Sequence, residues 1–197
     1  MSAGTGSVAL ALTVLALVGV GGGPAHATRG QVPPASLVFE PDRGAGDANV
    51  AVASDQTGAR LVTTAASEDI QPTLSPEGRL AFASDREGNY DIYATARDTT
   101  GERIRVTKHE AADYSPAWAP ESGFLAFVSN RKGSADIYVI LATGSAVAER
   151  ATWSDGDDID PAWSPRGIGI AFASNRSGTY DIWIVGLGRT ATRVTSG

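Results

Sequence analysis

The chain has 197 residues, with 16 Lys+Arg against 22 Asp+Glu, a formal net charge of -6 and no cysteine. It can therefore form no disulfide and no thiolate metal site, and an acidic balance without a Lys/Arg run argues against nucleic acid, whose phosphates need a clustered basic surface. A hydrophobic content of 42% can fill a core, while 23 Gly and 10 Pro make turns frequent and long helices unfavourable.

The first element is an uncharged apolar run, Val8 to Val20, broken by Gly-Gly-Gly-Pro and followed by Ala25-His26-Ala27, the small-x-small pattern of a signal-peptidase site. It predicts export, with cleavage near Ala27 and residues 1–27 removed; the alternative is an uncleaved Ala/Gly-rich anchor, although the run is short for a bilayer span. Residues 37–39, 49–52 and 60–63 then read as three short strands.

Two motifs recur after them at a spacing close to 45 residues. Ser84-Asp85-Arg86 returns as Ser129-Asn130-Arg131 and Ser174-Asn175-Arg176, and Asp91-Ile92-Tyr93 as Asp136-Ile137-Tyr138 and Asp181-Ile182-Trp183. Upstream of each lies Pro72-Thr73-Leu74-Ser75-Pro76, Pro116-Ala117-Trp118-Ala119-Pro120 or Pro161-Ala162-Trp163-Ser164-Pro165. Each unit reads as four strands. The Pro-Ala-Trp segment ends in a type I turn, such as Ser75-Pro76-Glu77-Gly78 or Ser164-Pro165-Arg166-Gly167. A nearly all-apolar strand follows (LAFAS, LAFVS, IAFAS), as expected for burial on both faces. The aromatic, β-branched third strand begins at the Asp-Ile-aromatic triplet, and a short fourth closes the unit (RIRVT, ERATW, TRVTS). Four strands per unit, none able to cover its own apolar faces, are the mark of a β-propeller blade.

The Pro-Ala-Trp-Ser-Pro-x-Gly, Ile-Ala-Phe-x-Ser-x-Arg and Asp-Ile-Tyr series resembles the TolB-type, WD-like propeller repeat over residues 63–187. It departs from that pattern at Glu77, Glu121 and Arg166, where Asp is common, and at Leu74, where Trp is. The expected fold is an all-β propeller of four-stranded antiparallel blades. Its units are a signal peptide (1–27), a linker and partial blade (28–62), and blades at 63–107, 108–152 and 153–197. The resemblance implies about six blades, so these residues predict an incomplete arc, a tight four-bladed ring or a truncated reading frame. Open blade edges would favour self-association.

Within each loop, Asp91, Asp136 and Asp181 are expected to take a bidentate contact from Arg86, Arg131 and Arg176 or to bond the loop's backbone N–H groups, a structural role because the arrangement repeats in every blade. Asp69, Asp113 and Asp158 open the connections into successive blades and are expected to converge on one face. In the third copy Asp155, Asp157, Asp158 and Asp160 crowd together, but without the spacing of an EF-hand loop, and no metal or cofactor is assigned. No Gly-x-Ser-x-Gly elbow exists, and beyond residue 27 His109 is the one imidazole, so no catalytic constellation is expected. Trp118, Trp163, Tyr93, Tyr138 and Trp183 repeat and read as packing residues; Tyr114 and Trp153 fall outside the repeat. The candidate partner surface is therefore His109, Asp113, Tyr114, Trp153, Asp157 and Asp158. The function expected is that of a secreted or periplasmic non-catalytic module for a protein or peptide partner, without nucleic acid and without a membrane span after cleavage. The alternatives are the propeller part of a peptidase-like hydrolase and a small-ligand or Ca²⁺-binding propeller.

Overall fold

Alternating apolar residues cut by Pro- and Gly-bearing turns fold as four antiparallel meanders in the computed structural model. It describes residues 36–41, 48–54, 58–64, 66–96, 101–121, 123–186 and 188–196. The expected export segment and the expected cleavage site at Ala27 lie outside the described residues. No helix among the described residues is long and apolar enough to cross a membrane.

The first sheet holds three strands, β1 (Ser36–Phe39), β2 (Ala51–Ser54) and β3 (Gly58–Leu61). Three four-stranded sheets follow. They are β4 (Asp69–Leu74), β5 (Leu80–Ser84), β6 (Asp91–Thr95) and β7 (Arg103–Arg105); then β8 (Asp113–Trp118), β9 (Phe124–Lys132), β10 (Ser134–Leu141) and β11 (Glu149–Arg150); then β12 (Asp158–Trp163), β13 (Gly169–Ser174), β14 (Asp181–Gly186) and β15 (Ala191–Arg193). These are one partial and three complete propeller blades. The turn after β4 is closed by the Gly78 N–H donating to the Ser75 carbonyl at 2.9 Å, and Gly167 repeats the bond to Ser164 at 2.9 Å.

Side chains alternate across each strand, so each blade has a forward and a backward face. Val38, Val50, Val52 and Val62 of the first sheet meet Leu74, Leu80, Phe82 and Tyr93 of the second. The other face of the second sheet, with Ala81, Ile92, Ala94 and Val106, meets Trp118, Leu125, Phe127 and Tyr138 of the third. Ala126, Val128 and Ile137 then pack on Ile170, Phe172 and Val185 of the fourth. The extensive contacts all join sheets adjacent in sequence, and the first strands β4, β8 and β12 lie side by side along the inner edge of the arc. The loops β5–β6, β9–β10 and β13–β14 and the connections β7–β8 and β11–β12 share one end, the loop face.

The strands differ from the sequence expectation at two places. The first strand of each complete blade starts at Asp69, Asp113 or Asp158, three residues ahead of its proline. A register shift follows Ile70, Tyr114 and Ile159, and there Gln71, Ser115 and Asp160 adopt left-handed backbone, with φ of 53°, 49° and 53°. This bulge breaks the period-2 pattern that would otherwise have extended the strand. In the partial blade, β2 and β3 lie at Ala51–Ser54 and Gly58–Leu61 rather than at 49–52 and 60–63.

Candidate functional site

The repeated ionic residues pair across strands, not within the loop. The ladder places Ser84 opposite Asp69, and Arg86, two residues on, donates Nε–H to the Ser84 hydroxyl at 2.9 Å and Nη2–H to both oxygens of Asp69 at 2.9 and 3.2 Å. Arg131 grips Asp113 at 2.9 Å from each oxygen, and Arg176 grips Asp158 at 2.8 and 2.7 Å. Each guanidinium also lies over the aromatic residue of the third strand, at 4.4 Å from the Tyr93 centroid, 4.5 Å from Tyr138 and 4.6 Å from Trp183. The expected pairs of Arg86 with Asp91, Arg131 with Asp136 and Arg176 with Asp181 are thus replaced. Asp91, Asp136 and Asp181 turn instead toward the fourth strand and meet Arg105, Arg150 and Arg193 at 2.5, 2.7 and 2.5 Å.

These second pairs are unequal. Asp91 also accepts from Arg105 Nε at 3.1 Å and from the Thr107 hydroxyl at 3.2 Å. Asp136 is fully buried and meets Arg150 through one oxygen at 2.7 Å. Burial pushes its carboxyl above the usual carboxylate range, and Arg150 offsets only part of that.

All six candidate partner residues belong to the loop face, but the structure does not bring them together as one surface. Asp113 and Asp158 are fully buried beneath their arginines and do not reach the surface. His109 is exposed, with Nδ1 accepting from the Ala111 N–H at 2.9 Å and its carbonyl accepting from Asn89 at 3.0 Å. Trp153 is exposed, and Arg189 lies 5.4 Å from its ring centroid. Among the described residues no group of three or more His, Asp or Glu is placed to hold a metal.

Tyr114 and Asp157 do converge, at a cavity of about 530 Å³ between the third and fourth blades. Asp157 is held from both sides: its N–H donates to Asn175 Oδ1 at 2.8 Å, and its Oδ1 accepts from the Ala135 N–H at 3.0 Å. Ser115 and Asp160 add the bulged edge, and Tyr180 completes the lining. The Tyr114 phenol is raised by burial, and the Asp157 and Asp160 carboxylates and Tyr180 push it in the same direction. Sequence reasoning missed Ala135, Ser115 and Tyr180 as site residues. The available signal was a break in the repeat, since the position before Asp-Ile is Tyr90 in one blade and Tyr180 in another but Ala135 in the blade between. The missing ring leaves the cavity open. Its phenols, amides and carboxylates suit hydrogen bonding to a polar chain segment.

The family model for the TolB beta propeller domain matches residues 35–197. The chain belongs to the TolB β-propeller family. No curated protein matches the sequence. The TolB fold is also found by comparison with solved structures. TolB from Acinetobacter baumannii superposes with a TM-score of 0.67 at 22% identity, over 76% of this chain and 38% of that one. A TolB-type protein of Agrobacterium tumefaciens gives 0.70 at 21%, over 83% and 62%. A puromycin-hydrolyzing peptidase of Mycobacterium tuberculosis gives 0.62 at 20%, over 82% and 28%. This TolB-family chain therefore spans less than two thirds of the length of each.

Proposed function

We propose that this TolB-family chain is a non-catalytic binding module, exported to the cell envelope or beyond, which holds a segment of a partner protein in the cleft between its third and fourth blades. The observation that carries the reading is the opening at Ala135, where the repeat loses its tyrosine and Tyr114, Asp157, Asp160 and Tyr180 surround the space left. Other repeat positions serve inter-blade packing; this one is vacated. The export reading rests on the apolar run before Ala27.

The test is a photo-crosslinking amino acid at Tyr180, with a control at exposed Val147 in a different part of the third blade. Capture of one protein at position 180 alone supports the reading, and identical patterns from both positions would sink it. Mass spectrometry of the chain recovered from the medium or envelope should find Thr28 as the first residue.

A second reading has the likeness to the puromycin-hydrolyzing peptidase in its favour: the chain as the propeller portion of a hydrolase. Reading the genomic sequence beyond the codon for Gly197 for a catalytic domain separates the two.

A further inference from the structure

We infer that the cleft engages its partner through a side-chain amide, from Asn or Gln, whose carbonyl oxygen accepts a hydrogen bond from the backbone N–H of Asp160. This inference rests on the cleft being the partner site. It comes from a relay along the inner edge of the arc that stops one step short. At each bulge the left-handed backbone turns an N–H out of the sheet ladder. The Gln71 N–H is taken by the carboxylate of Glu40, contributed by the preceding blade. The Ser115 N–H is taken by Oε1 of Gln71, again from the preceding blade, at 2.8 Å. Asp160 repeats the backbone conformation. The residue that should serve it is Ser115, whose hydroxyl sits on Cβ where Gln71 carries its amide two bonds further out. Among the described residues no side chain accepts from the Asp160 N–H.

Two departures from the repeat thus meet in one cavity. Ala135 removes the ring that would fill it, and Ser115 removes the acceptor that would occupy its donor. The first makes room, and the second leaves the N–H of Asp160, a residue lining that room, without the side-chain acceptor that its counterparts at Gln71 and Ser115 have. In the preceding steps the acceptor was a carboxylate at Gln71 and an amide at Ser115. Here Asp157 and Asp160 place two carboxylates around the position, so an incoming carboxylate meets like charge and a neutral amide does not. Tyr114 and Tyr180 line the same space and bring to it aromatic surface and phenol hydroxyls.

The experiment is an amide-resolved NMR titration of the full chain with two probes, N-acetyl-Gly-Gln-Gly-amide and N-acetyl-Gly-Glu-Gly-amide. The expected result is a saturable shift of the Asp160 amide with the glutamine peptide, and binding of the glutamate peptide about tenfold weaker through repulsion. Two variants complete the test. Ala135→Tyr restores the residue found at positions 90 and 180, and Ser115→Gln restores the relay; each should keep or raise the melting temperature and abolish the Asp160 shift. No shift at Asp160, equal affinity for the two peptides, or an undiminished shift in a folded Ala135→Tyr variant would each overturn the inference. Partner capture at Tyr180 with no Asp160 response would reject the amide contact and leave the binding site standing; failure of both would reject the site itself.

Discussion

Asp113 shows how a fully buried carboxylate is accommodated in the fold. Burying an ion costs several kcal/mol unless it is paired and hydrogen-bonded, and Arg131 does both, with two bonds of 2.9 Å and a ring beneath it. Asp113→Asn would leave Arg131 without its counter-charge and should destabilise the fold by about 3–5 kcal/mol in urea unfolding. Asp136→Asn should cost distinctly less, because burial already pushes the Asp136 carboxyl up, toward its neutral form. The sign of the pH effect follows from the raised carboxyl. Between its ordinary value and its higher folded value, the native state holds more protons than the unfolded chain. The Asp136 contribution to stability therefore falls as pH rises through that window, and Asp136→Asn should flatten this part of the stability profile. At the alkaline end, Tyr90 donates to Glu68, and burial with the Glu68, Asp85 and Glu40 charges pushes its phenol up to about 12. Its contribution is intact below the ordinary phenol value of about 10 and is lost as pH rises from there to the folded value. Phenolate absorbance should show a late-titrating step that Tyr90→Phe removes.

Connections between blades depend on close backbone approach as much as on charge. Gly156 lies in the acidic stretch that precedes β12, and a Cβ there would sit 2.5 Å from Asn175 Oδ1 and 2.7 Å from the Arg176 nitrogen. Gly156→Ala must push the connection away from the β13–β14 loop, breaking the Asp157–Asn175 bond, at an expected cost of about 1–3 kcal/mol. The drop should appear as a lower melting temperature, together with a displaced Asp157 amide signal. In sequence the crowded aspartates look alike. In the fold, Asp158 is buried, Asp157 ties two blades together, and Asp160 occupies the bulge, so three neighbouring carboxylates have three different roles.

At the scale of the whole arc, equivalent residues differ in burial according to whether a blade follows them. Ile92 and Ile137 are 0% exposed, each covered by the next blade, whereas Ile182 of the fourth blade is 43% exposed and Ile184 beside it 44%. Ile137→Ala should therefore cost about 2–5 kcal/mol, while Ile182→Ala should stay within about 0.5 kcal/mol, as for a surface position. An exposed apolar face of this kind is expected to promote association. Light scattering should show association that a double change, Ile182→Lys with Ile184→Lys, relieves without loss of folded signal.

The amino-acid sequence by itself determined the blade: its strands, turns and 45-residue spacing are local consequences of alternation, Pro and Gly, and they repeat three times. It also marked Arg86, Arg131 and Arg176 as structural, because a residue needed in every unit is needed by the unit. Tertiary structure alone decided which carboxylate each arginine takes. The nearer one in sequence points toward the fourth strand, and the ladder register brings the farther one, some 17 or 18 residues upstream, under the guanidinium. It alone decided the cleft as well. Ala135 breaks the repeat within the sequence, but only the stacking of one blade on the next sets that missing ring beside Ser115 and Asp160.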